Sequence, residues 1–160
     1  MAKPANNVQL IRTCSIWRAL EIFGDAPTLL VVQSYWLGAR RFDDFCRGTG
    51  LLKTVVSGRL KKLVGNNCLV KVAYSERPSR FEYKATEELL DLFPAALAML
   101  HWERRWGRKA GKIEVRMRHS TCGRMTEPHP VCKCCREEID ARDVSWKPGP
   151  GIGHMPATYG

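Results

Sequence analysis

Between residues 68 and 85 the helical spacing seen on either side gives way to a strand pattern. Cys68-Leu-Val-Lys-Val-Ala-Tyr74 is a strand-like run, Ser75–Ser79 is a turn containing Pro78, and Arg80-Phe-Glu-Tyr-Lys-Ala85 alternates apolar and polar residues with period two. Two such runs across a short turn predict a hairpin. Four helical segments precede it. Cys14–Phe23 carries Ile16, Trp17, Leu20 and Phe23 at helical spacing, and Gly24-Asp25 breaks it. Pro27–Trp36 starts on a proline suited to a first turn and is apolar nearly all round, which predicts a central helix ended by Gly38. Arg41–Cys46 is a short helix closed by Gly48-Thr49-Gly50, and Leu52–Asn66 is a longer one whose Gly65-Asn66-Asn67 is a C-cap signal. After the hairpin, Thr86 is an N-cap with Glu87 and Glu88 behind it. The helix that follows carries Leu89, Leu90, Leu92, Phe93, Leu97, Leu100 and Trp106, and Pro94 must kink or divide it.

Helices, a hairpin, then a long helix is the order of a mainly α, winged helix-turn-helix fold with the hairpin as wing. Residues 8–107 form the expected DNA-binding and dimerisation domain. Residues 108–118 read as a basic linker, 119–146 as a small Cys-rich, zinc-ribbon-like extension, and 147–160 as a Gly/Pro-rich tail. A chain of 160 residues is long enough for one domain with a core and such an appendage. Its 26 Lys and Arg against 16 Asp and Glu leave a charge of +10, which suits a polyanion whose phosphates release counterions. Apolar runs such as Leu29–Val32 are too short to span a bilayer, and Met1–Asn7 leads into no signal sequence, so a soluble cytoplasmic protein with no membrane partner is expected.

On a helical wheel, Leu52, Val55, Val56, Leu60, Leu63 and Val64 share one side of the Leu52–Asn66 helix. Thr54, Ser57, Gly58 and Lys61 lie opposite, with Lys53 at the flank. A helix that enters the major groove needs such a face: short polar side chains, a glycine for close approach, and basic residues for phosphates. The alternative is an ordinary solvated face. Arg59 falls within the apolar arc and reads as an internal arginine requiring a carboxylate, with Asp43 or Asp44 as candidates. At the hairpin tip, Arg77 and Arg80 suit a narrow minor groove or serve as a solubilising turn.

Cys14-Ser-Ile-Trp-Arg-Ala-Leu-Glu-Ile-Phe-Gly-Asp25, Leu29-Leu-Val-Val32 and Gly38-Ala-Arg-Arg-Phe-Asp-Asp-Phe45 together resemble the HxlR-type winged helix regulators. So do Ser57-Gly-Arg-Leu60, Leu69-Val70 and Arg77-Pro-Ser-Arg-Phe-Glu-Tyr83. The resemblance covers roughly residues 14–107. It implies a prokaryotic, homodimeric, MarR-related transcription factor that binds double-stranded DNA, dimerises through its terminal helices and answers to a small-molecule or redox effector. Cys14 occupies the place where some members carry a sensing cysteine; it also reads as a small buried apolar residue. The family has Ser or Thr near Leu52 to cap the recognition helix, and here Thr49 serves only if that helix starts early.

Seven cysteines, an odd number, argue against a disulfide scaffold, and four are crowded into Cys122–Cys135. His119-x2-Cys122 and Cys132-x2-Cys135 are two close pairs of the kind that tetrahedral Zn2+ requires, which would make a structural site with no open position. Cys134 is surplus and His129 an alternative ligand; reduced thiols or a Cys122–Cys132 disulfide are the other readings. The cluster leaves open a protein- or RNA-binding zinc-ribbon adaptor with the winged helix as scaffold. No nucleophile elbow, phosphate loop or dinucleotide fingerprint occurs, and Asp43-Asp44 lacks a partnered histidine, so no enzyme is expected.

Overall fold

A computed structural model describes residues 15–76, 79–107, 117–126, 130–140, 142 and 144. The chain divides into two compact units, Met1–Asp91 and Leu92–Gly160. The expected first domain, 8–107, spans that division, and the last long helix belongs to the second unit.

The first unit runs α1 (Ser15–Phe23), α2 (Ala26–Trp36), α3 (Phe42–Thr49), α4 (Lys53–Gly65), β1 (Leu69–Glu76), β2 (Ser79–Ala85) and α5 (Glu87–Leu90). It is a mainly helical winged fold around a two-stranded antiparallel hairpin. Helix α2 is central: it packs on α1, α3 and α4. Its start is fixed by Asp25, whose carboxylate accepts the Thr28 N–H at 2.9 Å and the Thr28 hydroxyl at 2.8 Å. Val31, Val32, Phe45, Val56, Leu60, Leu63, Leu69 and Leu89 are fully buried and form the core. Each such side chain contributes about 1.5–3 kcal/mol of transfer free energy. Helices α2 and α3 approach so closely that a Cβ on Gly48 would collide with the Ser34 hydroxyl. Thr49 ends α3, its hydroxyl donating to the Phe45 carbonyl at 2.7 Å. Helix α4 therefore begins at Lys53 without a side-chain cap, and Thr49 does not cap it. At the other end Asn67 takes the left-handed conformation (φ 56°), and the Asn67 and Cys68 N–H groups close on Val64 and Leu63.

The hairpin pairs Leu69 with Ala85 and Ser75 with Arg80, with a bulge between Ala73 and Ser75. It is tied to the helices by backbone groups. The Tyr35 hydroxyl accepts the Ala85 N–H at 2.9 Å, and the Tyr83 N–H donates to the Arg40 carbonyl at 2.8 Å. The Tyr83 ring meets Phe45 edge-on at 5.8 Å. Thr86 caps α5 as expected, accepting the Leu89 N–H.

The helix expected to begin at Thr86 is divided. Helix α5 stops at Leu90, and α6 (Phe93–Trp106) restarts with Pro94 in its first turn, where a missing N–H costs nothing. Helix α6 opens the second unit and has no buried residue; Trp102 and Trp106 are 63% and 62% exposed. Two short hairpins follow. One is β3 (Met117–Arg118) with β4 (Met125–Thr126), and the other is closed by the bridge between Val131 and Glu138. Among the described residues, no helix is long and apolar enough to cross a membrane.

Candidate nucleic-acid interface

Helix α4 turns Val56, Leu60 and Leu63 into the core. Lys53, Thr54, Gly58 and Lys61 are exposed on the other side, with Ser57 half-buried at its edge. The sequence wheel and the structure differ at two apolar positions. Leu52 precedes the helix rather than lying in its first turn and is 74% exposed; Val64 is likewise partly exposed. The glycine stands in open space, since a Cβ at Gly58 would meet nothing within 4 Å. Glycine in mid-helix costs about 1 kcal/mol relative to alanine, and no packing among the described residues requires it here.

Three basic positions of α4, Arg59, Lys61 and Lys62, divide by role. Lys61 points outward and makes no ion pair with a described residue. Arg59 and Lys62 instead turn to Asp25, with Arg59 Nε 2.9 Å from Oδ1 and Lys62 Nζ 3.3 Å from Oδ2. Arg59 thus turns inward from the place the wheel gives it, half-buried with its Nε out of solvent, and its carboxylate is Asp25 and neither Asp43 nor Asp44. Asp44 is engaged elsewhere: it accepts the Arg41 N–H at 3.0 Å and pairs with Arg47 at 2.6 Å. Burial pushes the Asp25 carboxyl up. Hydrogen bonds from Thr28 and Lys62 and the Arg59 charge outweigh that and hold it below the usual carboxylate range.

Around the wing, cations lie over aromatic faces: Arg40 over Tyr35 at 4.0 Å, Arg41 over Tyr74 at 4.4 Å and Lys71 over Phe81 at 3.9 Å. Arg40 also donates to the Tyr35 and Ala39 carbonyls at 2.7 and 2.8 Å. Arg40 and Arg41 are exposed at the start of α3, on a basic surface that sequence reading missed. The Arg-Arg pair ahead of a short helix was its only signal. Arg80 is exposed in β2, whereas Arg77 lies outside the described residues, so the tip of the wing is described on one side only.

Of the thiols, Cys14 lies outside the described residues. Burial pushes the Cys46 and Cys68 thiols up, with Asp43 and Glu88 adding to the effect, so neither is primed as a thiolate. In the second unit the His119 Nδ1 and Cys122 Sγ atoms are 3.4 Å apart. The Cys132 sulfur accepts hydrogen bonds from the backbone N–H groups of Cys135 and Cys134, which lower its pKa. The structure forms these two pairs separately; among the described residues no group of three or more His, Cys, Asp or Glu gathers around one point. His129 lies outside the described residues.

The HxlR-like helix-turn-helix family model matches residues 22–110, which include the core helices, the wing and α6. An uncharacterized HTH-type transcriptional regulator of Mycobacterium tuberculosis is 38% identical over 138 residues, covering 86% of this chain and 87% of its own. A match of that length reaches beyond Ala110 into the Cys-containing segment. Among solved structures, PA1607, a candidate transcription factor, shares 26% identity at a TM-score of 0.73, covering 84% of this chain and 94% of that one. A second candidate transcription factor, PA1374 from Pseudomonas aeruginosa, shares 26% identity at a TM-score of 0.59, over 87% of this chain and 94% of that one.

Proposed function

The chain belongs to the HxlR-like helix-turn-helix family and is a transcriptional regulator rather than an enzyme; from that premise we propose that it is a homodimeric, sequence-specific repressor acting in the cytoplasm. In this reading α4 enters the major groove of duplex DNA, with Thr54 and Ser57 at base edges and Lys53 and Lys61 on phosphates. The wing lies along the neighbouring minor groove, where Arg80 and Arg77 meet the enhanced negative potential. The observation that carries the proposal is the exposed face of α4, where a glycine that no contact among the described residues requires sits beside a lysine with no ion pair among them. An isolated solvated face would gain about 1 kcal/mol by replacing that glycine; close approach to a second molecule accounts for it.

Dimerisation is supported by apolar surface. In α6, Phe93, Met99, Trp102 and Trp106 are exposed, and so are Ile16, Trp17 and Leu20 in α1. Isologous contact between copies would cover the α6 residues, and the α1 residues are a separate apolar surface open to a copy. Leu89, in α5, is fully buried and takes no part. Occupation of a site by a dimer denies it to other proteins, which supports repression, and an effector would act by shifting the spacing of the two reading heads.

Selection of binding sites from a random duplex library by the full chain tests the proposal. The expected product is a motif of two inverted half-sites, centres about 10 base pairs apart, bound by two chains. A library that returns no motif, or a complex containing one chain, would count against it.

A further inference from the structure

The two C-terminal hairpins are one structural unit repeated after thirteen residues. In the first, the His119 N–H donates to the Arg124 carbonyl at 2.9 Å and the Gly123 N–H to the His119 carbonyl at 2.8 Å. In the second, the Cys132 N–H donates to the Glu137 carbonyl at 2.8 Å and the Arg136 N–H to the Cys132 carbonyl at 2.9 Å. Each turn ends in a left-handed residue, Gly123 at φ 67° and Arg136 at φ 66°. The flanking pairs also correspond, Arg118 with Met125 and Val131 with Glu138. His119 is therefore equivalent to Cys132 and Cys122 to Cys135. The counterpart of Cys134 is Thr121, which is no soft-metal ligand.

We infer that these two hairpins are the halves of one tetrahedral zinc site whose ligands are His119, Cys122, Cys132 and Cys135. The inference is independent of the DNA-binding proposal. Each half is preformed. The 3.4 Å between His119 Nδ1 and Cys122 Sγ is close to the edge of a zinc tetrahedron, about 3.6 Å for ordinary Zn–N and Zn–S bonds. In the other half the first sulfur accepts the backbone N–H groups of Cys135 and Cys134, the arrangement that orients a metal-bound thiolate and spreads its charge, and of the two thiols that also meet it the Cys135 one interacts more strongly than the Cys134 one. A left-handed arginine is uncommon, yet it recurs where the companion turn has glycine, so the turn shape is specified for both.

The hairpins also need a crosslink. None of their described residues is buried, and Met125, Val131 and Ile139 are 55%, 50% and 42% exposed. Hairpins this short do not stand alone in water, and the free energy of metal binding is the usual substitute for a core. A disulfide would account for a pair of cysteines but not for a histidine in the equivalent place. Three thiolates and one neutral imidazole on Zn2+ carry a net charge of −1, and Arg118, Arg124, Lys133 and Arg136 surround the turns with compensating charge. Among the described residues the two pairs do not form one cluster, and four protein ligands on one ion would leave no position for water.

Elemental analysis of the full chain, purified without chelator or histidine tag, should find one zinc per chain. Chelation should expose three thiols for each zinc lost and leave the amide-exchange protection of residues 15–91 unchanged. Cys134→Ser should keep its zinc; Cys122→Ser and Cys135→Ser should fall below about 0.2 equivalents. Wild-type protein offered equimolar zinc that still holds less than this overturns the inference. Zinc retained by Cys122→Ser, zinc lost from Cys134→Ser, or any count other than three released thiols overturns the ligand assignment. The thiol count comes from wild-type protein, so it stands even where a variant does not fold.

Discussion

Asp25 joins α2 to α4, the proposed reading helix, through one side chain. It caps α2 through Thr28 and holds Arg59 and Lys62 of α4. Asp25→Ala removes the cap and strands two cations, which should cost about 1–2 kcal/mol and lower the Tm by several degrees. The sign of its pH dependence follows from the depressed carboxyl. A group whose folded pKa lies below its unfolded value stabilises the fold above about pH 4 and loses that contribution as pH falls through the folded value. The Tm gap between wild type and Asp25→Asn should therefore be full at neutral pH and close in acid. A gap independent of pH would contradict the pairing. Gly58→Ala makes the opposite trade: stability should rise by about 1 kcal/mol while DNA affinity falls. Thermal unfolding and anisotropy titration of that variant check both, and a gain in stability with unchanged binding would leave the glycine unexplained. The inward position of Arg59 was legible in its helical phase. Its partner was not, because Asp25 reads locally as part of a helix break and meets α4 only after two helices have packed.

Among the elements, the wing depends on a few polar anchors. Tyr35 presents its hydroxyl to the Ala85 N–H at 2.9 Å, and the α2–α3 connection offers the Arg40 carbonyl to Tyr83 at 2.8 Å. Tyr35→Phe leaves the Ala85 N–H without its acceptor at a cost of about 1–3 kcal/mol. Amide exchange should quicken through β2 and leave α4 protected; equal quickening of both would show that Tyr35 supports the whole core. The hairpin itself was legible, since period-two alternation over Arg80–Ala85 and Pro78 in the turn admit little else. The bulge between Ala73 and Ser75 was not, because nothing in those residue types departs from a regular strand. Pro94 announced a division in the last helix, but neither the two-residue gap at Asp91–Leu92 nor the full burial of Leu89 was legible, since burial is a tertiary fact. The repeat shared by the two C-terminal hairpins was also invisible in sequence, where only the ligand spacing recurs and Gly123 is matched by Arg136.

As proposed, the work of the whole molecule is divided between the two units: the first carries the proposed DNA-reading face, and the second carries an unburied helix suited to a second copy and a pair of hairpins suited to a metal. The excess of positive charge, +10, draws the chain to any duplex, so affinity alone does not establish a reading helix. The proposed division of labour on α4, with Lys61 on phosphates and Thr54 and Ser57 at base edges, is what separates a reading helix from a merely basic one. The decisive measurement is a salt-titrated binding comparison of wild type, Lys61→Ala, Thr54→Ala and Ser57→Ala, each on a selected site and on an unrelated duplex. Lys61→Ala should weaken both duplexes alike and reduce the salt slope by about one per chain. Thr54→Ala and Ser57→Ala should keep the slope and lose the preference for the selected site. Three variants that match wild type in affinity, slope and preference would show that this face of α4 does not meet DNA.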